Sequence, residues 1–172
     1  LLVLDVSDPA APVVIGSCET SDAPSSVAVS GDVAYVAVDG YGVCTIDVSD
    51  PATPVLLGSS GSEVGLGGIT VEGTTVYAAI HDQGLLVIDA ADPASPTVVG
   101  TSGPFHGEHV AVEGDVAYVA AGGSGLKTVD VSDPTAPVVI GSCGPERIGG
   151  AVGEIEVQGG TAYVRVEDAD PP

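Results

Sequence analysis

Leu85-Leu86-Val87-Ile88-Asp89-Ala90-Ala91-Asp92-Pro93-Ala94-Ser95-Pro96 decides the fold, because three other stretches of the chain repeat it. They begin at Leu1 (LLVLDVSDPAAP), Val43 (VCTIDVSDPATP) and Leu126 (LKTVDVSDPTAP). The Asp that closes each apolar run stands at 5, 47, 89 and 130, which sets spacings of 42, 42 and 41 residues. A fixed period of about 40 residues marks a repeat array, in which each unit buries its apolar surface against its neighbours. Repeat motifs starting at residues 1, 43, 85 and 126 therefore make residues 1–172 a single repeat domain.

Each period breaks into four short segments. After the run ending in Asp comes Asp-Pro-x-x-Pro, with Pro9 and Pro12, Pro51 and Pro54, Pro93 and Pro96, and Pro134 and Pro137. Proline donates no ladder hydrogen bond and pushes the preceding residue out of the helical region, so this segment is a connection. Its Asp accepts a local backbone hydrogen bond, as in an Asx-turn. A second apolar run follows and ends at Gly16, Gly58, Gly100 or Gly141. Beyond a variable loop lie two more runs around a tight turn, as in Ser26–Val38, with turn glycines at Gly31, Gly73, Gly114 and Gly159. A tyrosine follows each of these glycines by four residues: Tyr35, Tyr77, Tyr118 and Tyr163. These four are expected to be buried and equivalent, with rings packed between sheets.

Four strands in about 42 residues is the size of a β-propeller blade. The runs are nearly continuous rather than alternating, as expected where both faces of a sheet are covered. The expected fold is all-β: a β-propeller of four-stranded antiparallel blades. In blade order the strand after the variable loop is innermost, the Tyr strand second, the opening motif third and the Pro-preceded strand outermost. The chain starts on a third strand and ends after a second one, so its N- and C-terminal strands together make one blade. They can close a four-bladed ring, or each can belong to a larger ring, as when two chains share eight blades. The chain carries no initiating Met and no charged-then-apolar leader, so it reads as a processed product or a fragment of a longer protein.

The runs LLVLD, VCTID, LLVID and LKTVD, each leading into D-P-x-x-P, resemble the LVIVD-repeat family, as does GDVAYVA ahead of the next run. The resemblance spans essentially the whole chain. It implies a propeller and an extracellular or cell-surface setting, mostly among bacterial and archaeal proteins. It carries over no catalytic residue.

Composition narrows the partners. There are 24 acidic residues against 3 basic ones, a net charge of −21. Such a surface repels nucleic acid and anionic lipid, which need clustered cations. It suits salt-rich surroundings, divalent cations and cationic partners. No apolar run approaches the roughly 20 residues of a membrane span. Three cysteines (Cys18, Cys44, Cys143) cannot all pair within the chain, and they read as buried or incidental thiols.

Candidate site residues lie where the loops depart from the repeat. Gly103–His109 holds the only Phe and two of the three histidines, and His81-Asp82 opens on the same face. Tyr41, His81, Asp82, Phe105, His106, Glu108, His109 and Arg147 are the candidate binding residues. His106, Glu108 and His109 could coordinate a zinc-like metal, although their spacing is not that of a helical zinc motif. Asp5 and Asp8, with their three repeats, could ligate calcium, but they fit turn stabilisation better. No serine sits in a nucleophile elbow and no phosphate-binding loop is present. The leading expectation is a non-catalytic extracellular or surface scaffold that binds a protein or glycan through its loops, or assembles with itself. The alternative is a secreted metal-dependent enzyme or metal-binding module using the His81, His106, Glu108 and His109 face.

Overall fold

The computed structural model describes residues 1–61 and 65–167. Three full blades occupy the middle of the chain. The first runs β3 (Pro24–Ser30), β4 (Val33–Val38), β5 (Gly42–Asp47) and β6 (Val55–Ser59). The second runs β7 (Leu66–Glu72), β8 (Thr75–Ile80), β9 (Gly84–Asp89) and β10 (Thr97–Ser102). The third runs β11 (His109–Glu113), β12 (Val116–Ala120), β13 (Leu126–Asp130) and β14 (Val138–Cys143). Each is a four-stranded antiparallel meander with its strands in chain order. At the ends stand two hairpins, β1 (Leu2–Asp5) with β2 (Val13–Ser17), and β15 (Ala151–Gln158) with β16 (Thr161–Glu167). The inner strands β3, β7, β11 and β15 lie side by side, so the sheets stand radially around a common axis as propeller blades. None of the helices described is long and apolar enough to cross a membrane.

The repeat motif explains each part of the blade. A two-residue loop joins β3 to β4, and Gly31 takes its left-handed position at φ 58°, a backbone conformation that residues with a side chain rarely adopt. In the Asp-Pro turns the expected Asx geometry recurs four times. Asp8, Asp50, Asp92 and Asp133 each accept the amide two residues on through Oδ1 at 3.0 Å. Their carbonyls accept the amide three residues on. The Asp at the end of the opening run does the same, Asp5 from Ser7 and Asp47 from Ser49. The register between third and fourth strands slips at the same place in all four copies, and such bulges add twist to a sheet.

The core lies between blades. Tyr35, Ala37 and Val43 pack with Ile69, Val76 and Ile88 of the second blade. Tyr77, Leu85 and Val87 pack in turn with Val110, Val119 and Val129 of the third. This two-sided burial is why β4, β5, β8 and β9 are apolar along nearly their whole length. At the outer rim, Gly58 lets the next blade's turn approach: a Cβ there would stand 2.5 Å from the Ala94 carbonyl oxygen. Cys18, Cys44 and Cys143 are free thiols, Cys44 in the core and the other two half-buried.

Two expectations need correction. The four tyrosines are not equally buried: Tyr35 and Tyr77 are 2% and 6% exposed, Tyr118 is half-buried and Tyr163 is 61% exposed. Each ring packs on the following blade, and no described blade follows β16. The terminal hairpins, expected to form one blade, stand as separate two-stranded sheets. The loop after Cys143 also contains a single helical turn, α1 (Pro145–Ile148), with Pro145 as its first residue and Gly149 closing it at φ 97°.

Candidate functional site

The mouth of the channel is built from two sets of repeat-equivalent positions. Five residues before each turn glycine, the inner strands present Ser26, Gly68, His109 and Glu154. All four line one depression of roughly 480 Å³. Eight residues after each turn glycine, at the end of the second strand, stand Asp39, His81, Gly122 and Glu167. Asp39 and His81 line the same depression, together with Ser25, Glu108 and Arg165. A symmetric scaffold thus carries unlike side chains at its equivalent mouth positions.

The loop Gly103–Glu108 shapes this face through its backbone. Its first bond, Gly103–Pro104, is cis. Phe105 is half-buried against Gly84 and joins the core between the second and third blades, so it anchors the loop. The Gly107 amide donates to the Ile80 carbonyl at 2.9 Å, and the Glu108 amide to the Ala120 carbonyl at 2.8 Å. The Glu108 carbonyl accepts the Gly68 amide at 2.6 Å, close enough that any Cβ at Gly67 would collide with Glu108.

Of the residues expected from sequence, His81, His106 and Glu108 come together. The His81 and His106 rings stack with centroids 5.0 Å apart and planes 11° from parallel. His106 Nε2 lies 3.4 Å from Glu108 Oε1. His109 points elsewhere, with its ring against Gly68 and its Nδ1 buried without a hydrogen-bond partner. No group of three or more His, Cys, Asp or Glu side chains is arranged to hold a metal ion among the described residues. His106, Glu108 and His109 thus form a pair and a divergent third member, because His109 starts an inner strand whose alternation turns it into the channel. The repeated Asp pairs are not gathered for calcium either, since their oxygens serve the backbone of their own turns.

Asp82 is exposed beside His81 on the loop to β9, and Tyr41 is exposed on the equivalent loop of the first blade. Arg147 is exposed on α1 and outside the mouth. The cation that does reach the mouth is Arg165, held to Glu154 at 3.0 Å and Glu167 at 2.8 Å. Sequence reading missed Ser26, Asp39, Glu154 and Arg165. The first three occupy repeat positions equivalent to His109 or His81, so carrying the period through to the loops would have found them.

The sequence profile described as the LVIVD repeat matches residues 1–20, 23–60, 67–102 and 106–144. No curated protein matches the sequence significantly. Among solved structures, the computationally designed Ika4 protein superposes with a TM-score of 0.68 at 13% identity, over 88% of this chain and 96% of that one. The designed Ika8 protein superposes with a TM-score of 0.69 at 12% identity, over 88% of this chain but 45% of that one. Glutaminyl cyclase of Myxococcus xanthus reaches 0.57 at 16% identity, over 83% of this chain and 61% of that one. At these identities the likeness is one of fold.

Proposed function

Because this chain belongs to the LVIVD-repeat family, we propose that it is a non-catalytic extracellular or cell-surface interaction domain that takes a glycan or protein partner at the mouth of its channel. The observation that carries this reading is the contrast between rim and mouth. Residues that recur in every repeat hold turns and joints, whereas Ser26, Gly68, His109 and Glu154 differ from one another at equivalent positions around one opening. Fold alone does not assign a function, so the argument rests on these side chains.

The chemistry of the mouth suits a hydroxyl-rich ligand. Carboxylates of Asp39, Glu108 and Glu154 are acceptors for hydroxyl and amine donors, and Arg165 is a donor of fixed geometry. The stacked His81 and His106 rings offer a flat surface beside them. An opening of this size lies within the range of small-ligand clefts of about 300–1,000 Å³. The excess negative charge favours neutral or cationic saccharides and basic peptide loops over polyanions.

The test is a saccharide array with neutral, amino and acidic glycans, followed by calorimetric titration of the hits and of a basic peptide set. The expected result is binding of neutral or amino sugars that weakens at least tenfold in an Asp39→Ala/Glu108→Ala variant and is unchanged in Asp8→Ala. Stoichiometric zinc with hydrolytic turnover, both lost in His106→Ala, would instead establish the metal-dependent alternative. Absence of any ligand at the mouth would overturn the reading.

A further inference from the structure

We propose that Cys18 and Cys44 are a modification site, closing into a reversible disulfide across the joint between the hairpin β1–β2 and the first blade when they meet a small-molecule disulfide. The bond would fasten the hairpin to the blade on which it packs. This chemistry is independent of what the channel mouth binds.

Strand parity turns both thiols into the same joint. Along β5, Val43 packs toward the second blade, whereas Cys44 and Ile46 face the other way and form a cluster with Ala34, Val36 and Val38. Leu1 and Cys18 exchange backbone hydrogen bonds of 2.8 and 3.0 Å, which makes them a directly opposed pair on one face of the hairpin. Both pack against the cluster that holds Cys44. Gly16 lies two residues before Cys18, on the same face, and a Cβ there would run into the Pro51 carbonyl of the first blade. The two thiols also sense one another: burial raises the Cys44 pKa most, and the charge of Cys18 raises it further.

Among the described residues this joint alone carries the pair. Moving by whole repeats, Cys18 corresponds to Ser60, Ser102 and Cys143, and Cys44 to Leu86 and Lys127. The matching positions at the next two joints are therefore Ser60 with Leu86 and Ser102 with Lys127. Ser102 is 4% exposed with its hydroxyl unpartnered, so the position equivalent to Cys18 can be covered closely by the following blade. Disulfides between packed sheets also occur in β-sandwiches.

Unequal access orders the steps. Cys18 is half-buried and open to a reagent, whereas Cys44 is 3% exposed. The Cys18 thiolate attacks one sulfur of the small disulfide, forming a mixed disulfide and releasing one small thiolate. Cys44 then loses its proton and attacks the Cys18 sulfur; the Cys18–Cys44 bond forms and the bond to the second small thiolate breaks. Two protein thiols are oxidised, one small disulfide is reduced to two small thiols, and the protons end on those thiols. External reagents do not reach Cys44, which acts only on the sulfur that Cys18 has captured. Its raised pKa makes closure the slow step, and one that quickens as pH rises.

The test incubates the reduced, native chain with glutathione disulfide, quenches in acid, and reads intact mass and peptide maps. A Cys143→Ser chain should lose two hydrogens, with Cys18 and Cys44 in one linked peptide pair that dithiothreitol separates. The unaltered chain should give the same linked pair, with Cys143 outside it. Cys44→Ala should instead keep glutathione on Cys18, the trapped first step. Closure should slow amide hydrogen exchange in β1–β2 by at least about tenfold, since hairpin and blade then open together. The maps of chains that retain both cysteines stand even if Cys44→Ala misfolds. Glutathione persisting on Cys18 beside a free Cys44 would overturn the proposal. So would a Cys18–Cys143 or intermolecular bond in its place, no reaction at Cys18, a linked pair that forms only in urea, or an exchange rate unchanged by closure.

Discussion

Asp47 directs its carboxylate to its own chain. Hydrogen bonds donated by the Ser49 hydroxyl and amide hold its pKa below the usual value of 3.8, and Asp130 with Ser132 and Asp133 with Thr135 behave alike. For Asp5 the Ser7 amide is the larger cause and its hydroxyl the smaller. A carboxyl whose folded value is depressed binds fewer protons folded than unfolded near that value. Its contribution is therefore complete above the ordinary value of 3.8 and disappears as the pH falls through the lower folded value. Stability measured by urea unfolding should fall below about pH 4 for this reason. Ser49→Ala should move Asp47 back toward 3.8, seen in a carboxyl-carbon NMR titration, and should shallow that acid decline. An unmoved Asp47 would mean that the hydroxyl contributes nothing. Burial likewise raises Cys44, with a smaller contribution from Cys18, so Cys44 should react with a disulfide reagent only after unfolding, while Cys18 and Cys143 react in the native state. The Asp-Pro turns were legible because local chemistry within a few residues determines them. His109 was not placed correctly, because whether it meets Glu108 or the channel depends on strand phase and not on their adjacency in sequence.

At the outer rim, blades meet through glycines that admit the turn of the next blade. Gly58 and Gly100 sit on outermost strands where the turn of the next blade passes, and a Cβ would lie 2.5 Å from the Ala94 carbonyl oxygen or 2.2 Å from that of Pro134. Backbone cannot yield as a flexible side chain can, so Gly58→Ala or Gly100→Ala should destabilise by about 1–3 kcal/mol, the usual cost of overpacking. Chemical denaturation monitored by tyrosine fluorescence would read this, and Gly123→Ala, which meets nothing within 4 Å, is the control. A neutral Gly58→Ala would mean that the turn can retreat. The strand pattern and blade order could be read from the period alone, since four copies repeat the same apolar runs and breakers. The helical turn α1 could not, because Pro145-Glu146-Arg147-Ile148 lies in a variable loop that the repeat does not constrain.

At the scale of the molecule, the rim ties each blade to the next. Thr45 Oγ1 donates to the Pro93 carbonyl of the next blade, and Gly16, Gly58 and Gly100 each receive such a turn. Gly141 is the fourth in the series, yet a Cβ there would meet only the Thr128 hydroxyl, at 2.7 Å, the end of a small side chain able to rotate. The period makes these four glycines equivalent in sequence, and only packing distinguishes the fourth. Gly141→Ala should therefore be nearly neutral, where Gly100→Ala costs about 1–3 kcal/mol, read as the difference between the urea unfolding midpoints of the two variants. If Gly141→Ala costs as much as Gly100→Ala, the Thr128 hydroxyl does not give way and the rim is as tightly packed at this position as at the others.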